Sequence, residues 1–199
     1  MNQPLKIFLI IVGISSIIIG GFSLVIIFAL KSIFIGPLYN KQDLIDNFEL
    51  KTREILEVKS YLDSKVPADT YIFIEFKAEQ IRMFDIRNGE NYDTNWDLDI
   101  NSRKTDSLLN VIGWMKEDLY ILKDMLYSAN CISVSSGKPV RIGWQRSGLG
   151  KFYYSIFDRR LDDSLLKKYN DGCTYIYYKD NIVLEYAGGA IGSNCFPLF

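Results

Sequence analysis

The chain has 199 residues, of which 48% are hydrophobic and 14% aromatic, with 23 basic and 24 acidic side chains and no histidine. A net charge of −1 argues against a nucleic-acid binder that works by neutralising phosphates. The missing histidine removes Ser-His-Asp and Cys-His devices and the imidazole metal sites.

Residues 1–6 form a short tail, after which Ile7 to Leu30 run without a charge or a proline. As a helix this stretch would measure about 36 Å, slightly more than the ~30 Å hydrocarbon core of a bilayer. A single segment can cross there only as a helix, because every backbone polar group must be paired internally. The run exceeds the apolar region of a cleaved secretory signal, and Phe28-Ala29-Leu30-Lys31-Ser32 is a poor cleavage site. The sequence therefore predicts a retained single-pass anchor over 7–30, a juxtamembrane segment over 31–40 and one domain over 41–199.

Ser16 and Gly20 lie one helical turn apart, a small-xxx-small pair that would allow a homodimer contact; glycine and serine are also simply common in membrane helices. Lys6 precedes the span and Lys31, Lys41 and Lys51 follow it, a nearly even balance. A large domain after a very short tail fits a signal anchor, so the carboxyl side is expected outside the cytoplasm, in the periplasm if the cell is bacterial.

Within the domain, Leu44, Phe48, Ile55 and Leu62 recur near helical spacing and predict a helix over 41–65, ended by Pro67. Residues 70–77 and 80–87 read as a hairpin, 88–95 as a polar turn-rich stretch and 96–100 as a short strand. A second long helix is expected over 107–128, with a stripe of Leu108, Ile112, Met115, Leu119, Leu122 and Leu126. Strands are then expected at 131–135, 140–144 and 151–157, a helical turn at 162–169, and a hairpin of 173–178 with 182–186. Runs of strands joined by short turns, with two long helices, indicate an α+β fold with a mainly antiparallel sheet.

The glycine-rich pieces at 136–138, 148–151 and 188–192 do not match a phosphate loop and read as turns, so no cofactor is expected. Cys131, Cys173 and Cys195 lack metal-ligand spacing, and Asp93, Asp97 and Asp99 read as solvated acids on an edge strand, so no metal centre is expected. Numerous carboxylates leave a histidine-independent hydrolase open as an alternative.

Strand alternation sorts the remaining candidates. If Val140, Ile142, Trp144, Phe152, Tyr154 and Ile156 pack on the helices, the opposite face carries Arg141, Gln145, Tyr153, Tyr175, Tyr177 and Glu185. Tyrosine and arginine carry binding energy at protein interfaces. Glu185 stands inside an apolar run and, if covered, requires an arginine partner. Cys173 begins one strand, and the glycines at 188, 189 and 192 allow Cys195 to return to it, so a disulfide between them competes with free thiols. The function expected is a membrane-anchored, extracytoplasmic protein-binding domain of the immunity or inhibitor kind, not an enzyme, with the hydrolase or an accessory subunit of a membrane complex as alternatives.

Overall fold

Asn40 sets the first helix of the domain. Its side-chain oxygen accepts from the backbone N–H groups of Gln42 and Asp43, at 2.7 and 3.2 Å, while the Asp43 carboxylate accepts from the Asn40 N–H at 2.8 Å. This reciprocal cap satisfies donors that a helix start leaves orphaned. Helix α1 then spans Lys41–Lys65 and buries Leu44, Phe48, Ile55, Val58 and Leu62, so it packs on its own domain. This computed structural model describes residues 39–89, 91–147, 150–188, 192–193 and 195–197, with 20–23 and 25–26 in addition. Two compact units divide the chain, Met1–Leu38 and Tyr39–Phe199. Among the described residues no helix is long and apolar enough to cross a membrane. The expected anchor over 7–30, with Ser16, lies for the most part outside them.

The helix expected over 107–128 is two helices, α2 (Arg103–Val111) and α3 (Lys116–Ser128). Gly113 takes a φ of +71°, a left-handed conformation natural to glycine, and ends the first of them. Trp114 turns inward and donates its indole N–H to the Lys65 carbonyl at 2.9 Å. Met115 consequently leaves the core at 65% exposure, whereas Leu108, Ile112, Leu119, Leu122 and Leu126 stay buried. The apolar spacing continues on either side of the break, which is why periodicity alone reads through it.

Among the described residues nine strands form one antiparallel sheet: β1 (Thr70–Lys77), β2 (Gln80–Asn88), β3 (Asn91–Asp99), β4 (Ser133–Ser135), β5 (Val140–Ser147), β6 (Gly150–Ile156), β7 (Tyr175–Lys179), β8 (Ile182–Gly188) and β9 (Gly192–Ser193). Their order is β3-β2-β1-β4-β5-β6-β8-β7, with β9 added beside β8. The fold is α+β, as the alternation of elements implies. The polar stretch 88–95 is not a long turn: β3 takes up Asn91 onward as an edge strand, where polar side chains meet water on both sides.

One sheet face packs against α1, α2 and α3. Ile72, Ile74, Phe84, Val134, Ile142, Phe152, Tyr154 and Leu184 point into that core, and Val140, Trp144 and Ile156 join them as alternation requires. A smaller cluster of Phe157, Leu161 and Val183 forms on the other face under the short helix α4 (Asp163–Lys168). Cys173 and Cys195 are joined by a disulfide, and the Phe196 N–H donates to the Cys173 carbonyl at 2.9 Å. The bond ties the carboxyl-terminal segment to the start of β7.

Candidate functional site on the helix-free sheet face

Register places one set of side chains on the sheet face opposite the long helices. Glu75 of β1 faces Ser133 of β4, Ser133 faces Gly143 of β5, Gly143 faces Tyr153 of β6, and Tyr153 faces Glu185 of β8. Tyr175 of β7 follows opposite Glu185. Arg141 and Ser155 form the adjoining pair one step along the ladder.

Two of the buried carboxylates of this face, Glu75 and Glu185, are covered by cations. Glu75, with its side chain 1% exposed, accepts from Arg146 Nε and Nη2 at 2.7 and 2.8 Å and from Lys151 Nζ at 2.6 Å. Lys151 also donates to the Ser133 hydroxyl at 2.9 Å. Arg82 stands 3.7 Å from the same carboxylate. Glu185 accepts from Arg141 Nε at 2.9 Å, from Arg141 Nη2, and from the Ser155 hydroxyl at 2.8 Å. The requirement that a covered Glu185 find an arginine is met by Arg141. Both arginines use the bidentate fork that a planar guanidinium offers a carboxylate.

Tyr153 stands between the two ionic groups. The Arg141 guanidinium lies 4.2 Å from its ring centroid and the Lys151 ammonium 4.8 Å, both within cation–π range. Gly143 makes this crowding possible. A Cβ there would meet the Ser133 hydroxyl at 2.1 Å, the Tyr153 ring at 3.2 Å and the Lys151 stem at 3.3 Å.

The charges act on one another. Burial pushes the Glu75 carboxyl up, but Arg146 and Lys151 outweigh it and hold the group below its ordinary value. Burial pushes the Lys151 ammonium down to about 8, and Arg146 and Arg141 add to that against the pull of Glu75. The Tyr153 hydroxyl is raised, chiefly by burial. One end of the face also holds unsatisfied groups: an Asp85 carboxylate oxygen and the Thr94 and Ser135 hydroxyls are buried without a hydrogen-bond partner. Burial raises Asp85 above its ordinary value, against the pull of Arg87.

Comparison with protein families, curated proteins and solved structures returned no match.

Of the six side chains expected on one face, Arg141, Tyr153 and Glu185 form a single contact group. Tyr175 and Tyr177 share the face but pack with α4, Tyr175 stacking edge-on against Tyr169 at 5.2 Å. Gln145 does not belong to the group. A bulge between Gly143 and Arg146 inserts an extra residue and breaks the alternation, so Gln145 turns to a cleft of about 480 Å³ beside Lys51, Tyr127 and Cys131, and Arg146 takes its place. A second bulge, where Arg82 lies opposite the left-handed Asp97 (φ 50°), brings Arg82 toward Glu75. Asp93 is held by Lys104 at 3.0 Å, and Asp99 accepts from the Asn101 N–H at 2.8 Å. Among the described residues no group of three or more cysteine or acidic side chains could hold a metal ion.

Glu75, Arg146 and Lys151 are the site residues that sequence reasoning missed. Glu75 carries the signal that singled out Glu185, a lone charge in an apolar strand, Ile72-Phe-Ile-Glu-Phe76. Arg146 carries none, because a bulge leaves no mark in the alternation pattern.

Toward β3 the face opens to solvent. Trp96 and Tyr92 are 57% and 58% exposed, and the Arg87 guanidinium lies over the rings of Tyr71 and Tyr92 at 5.0 and 4.7 Å. At the other end, α4 and its aromatic cluster form a wall.

Proposed function

We propose that the domain is a protein-binding module, held at a membrane by the apolar segment 7–30 and facing an extracytoplasmic compartment. The observation that carries the binding reading is the combination on one helix-free face of cationic guanidinium edges with the exposed rings of Tyr92 and Trp96. Large aromatic groups and arginines are the residue types that anchor protein interfaces. Exposed rings lose water on docking without the entropy cost of a long flexible side chain. The Cys173–Cys195 bond supports the extracytoplasmic side, because structural disulfides persist in oxidising compartments. The Glu75 and Glu185 carboxylates are occupied by arginine forks, and Glu75 is held below its ordinary value, the opposite of what a general acid needs. An inhibitor or immunity role is the form of binding we favour for so small a domain.

A photo-crosslinking residue placed at Trp96 or Tyr92, in the full chain in its native membranes, tests this reading. Each should yield a discrete adduct with another protein, whereas the same residue at Leu50 or Tyr127, 78% and 86% exposed on the helical side, should not. Equal labelling from both sides, or none from Trp96 and Tyr92, overturns it.

A further inference from the structure

The carboxylates and the cations of the helix-free face are not at the same depth. The side chains of Glu75 and Glu185 are 1% and 5% exposed, whereas those of Arg141, Arg146 and Arg82 are 31%, 33% and 39% exposed. Each fork reaches down to its glutamate through Nε and Nη2, so the Nη1 edges of Arg141 and Arg146 have no partner among the described residues. The Tyr153 hydroxyl, on the ring that carries the Arg141 guanidinium and the Lys151 ammonium, also has none among the described residues. Arg82, Arg141, Arg146 and Lys151 face only two carboxylates, an excess of two positive charges; Arg87 and Asp85 farther along add one of each sign. The remainder of the chain is acidic on balance, since the protein as a whole carries −1.

Buried carboxylates usually end fully satisfied, and so do the cations that satisfy them. Here Glu75 and Glu185 are satisfied and the outer half of each guanidinium that holds them is left over. A planar guanidinium edge prefers a carboxylate or another oxyanion, and the two edges and the phenol hydroxyl can each donate to one.

We propose that the outer edges of Arg141 and Arg146, with the Tyr153 hydroxyl, bind carboxylates presented by an acidic segment of a protein partner. This rests on the protein-binding reading and names the chemistry of the partner. The aromatic ground around the charges favours a polypeptide: Tyr153 lies beneath the guanidinium, and Tyr92 and Trp96 extend the surface toward β3. An acidic segment would meet cations first and rings beside them. Charge complementarity of this kind sets the rate and register of docking.

The test uses the full chain in non-ionic detergent and a fluorescent peptide of six glutamates, read by anisotropy. Controls are the same peptide with six glutamines and a single-stranded oligothymidylate of equal length. Arg141 and Arg146 hold buried glutamates, so substituting them risks the fold; Tyr153→Phe and Arg82→Gln leave both forks in place. The glutamate peptide should bind, the glutamine peptide should not, and Tyr153→Phe should weaken binding by about tenfold, the value of one hydrogen bond to a charged group. Arg82→Gln should weaken it by a smaller factor and flatten its salt dependence. No binding of the glutamate peptide, equal binding of the oligothymidylate, or a Tyr153→Phe protein that binds as well as the parent each overturns the inference. In those cases a discrete crosslink from Trp96 would still leave the protein-binding reading standing, with a partner of different chemistry.

Discussion

Tyr154 donates its hydroxyl hydrogen to the backbone carbonyl of Leu44 at 2.8 Å, across 110 positions of sequence. The same oxygen accepts from the Asn47 side chain at 3.0 Å, and Asn47 in turn accepts from Asn130 at 2.9 Å. A strand residue is thereby pinned to the first turns of α1 inside the core. Tyr154→Phe keeps the ring and removes the oxygen, leaving the Asn47 amide with a weaker partner, the Ala129 carbonyl at 3.4 Å. Urea unfolding should show a loss of about 1–3 kcal/mol, the cost of stranding a buried polar group.

Glu75 is the acid on which two buried or half-buried cations depend. Glu75→Gln preserves shape but leaves Lys151 and Arg146 without their counter-charge. The expected loss is about 3–5 kcal/mol, as for other broken buried ion pairs. Unfolding curves that differ from the parent by less than ~1 kcal/mol would contradict that account.

Acid should weaken the protein through the same group. Folded Glu75 takes up a proton less readily than unfolded Glu75, so its contribution is complete above the ordinary value of 4.5 and is lost as pH falls through its lower folded value. Asp118 behaves alike: burial raises it, but Lys65, the Met115 N–H and Tyr61 lower it further. Unfolding midpoints measured from pH 6 to pH 3 should therefore fall toward the acid end, and the Glu75→Gln protein should show a shallower slope.

The Cys173–Cys195 bond closes a loop with a sequence separation of 22, which corresponds to about 3 kcal/mol in the chain-entropy account. Replacing both cysteines with alanine should cost that order of stability and loosen the docking of Phe196 against Phe152 and Tyr186. Peptide mapping without reductant should recover the two residues in one crosslinked species. Cys131, buried and with its thiol pushed up by burial, should alkylate only after unfolding.

For the anchor, the full chain should remain in the membrane after alkaline carbonate washing and retain its first residues by mass spectrometry. A reporter fused after Phe199 should be active outside the cytoplasm. A mature chain starting after residue 30 would contradict the anchor, and activity confined to the cytoplasm would contradict the orientation.

Much of this architecture is legible in the sequence because burial imposes a period. The stripe of α1, the hairpins 70–87 and 173–186, and the inward set Val140, Ile142, Trp144 all follow from alternation against a core. What escapes is where the period is interrupted without a compositional mark. Gly113 is a single glycine between two stretches that share one stripe, and the left-handed turn it takes is invisible beside them. The bulge at Gln145 is similarly silent, yet it decides that Arg146 and not Gln145 reaches the glutamate. Long-range ionic partners such as Glu75 and Lys151 depend on strand order, which periodicity does not specify.

Strand β4 has a further consequence. It contributes only three residues, and its ladders to β1 and β5 contain three partner pairs each, against eight between β1 and β2. The sheet thus has a narrow waist between a three-stranded meander and the remaining strands. Glu75 on one side of that waist is held by Arg146 and Lys151 on the other, so side-chain charge splints a join that the backbone makes sparingly. The two halves are natural units of cooperative opening, and the amides of Ser133–Ser135 mark where they part. Anything that docks on the bridging cations also fastens the halves together, so occupancy would be felt as slower hydrogen exchange along β4.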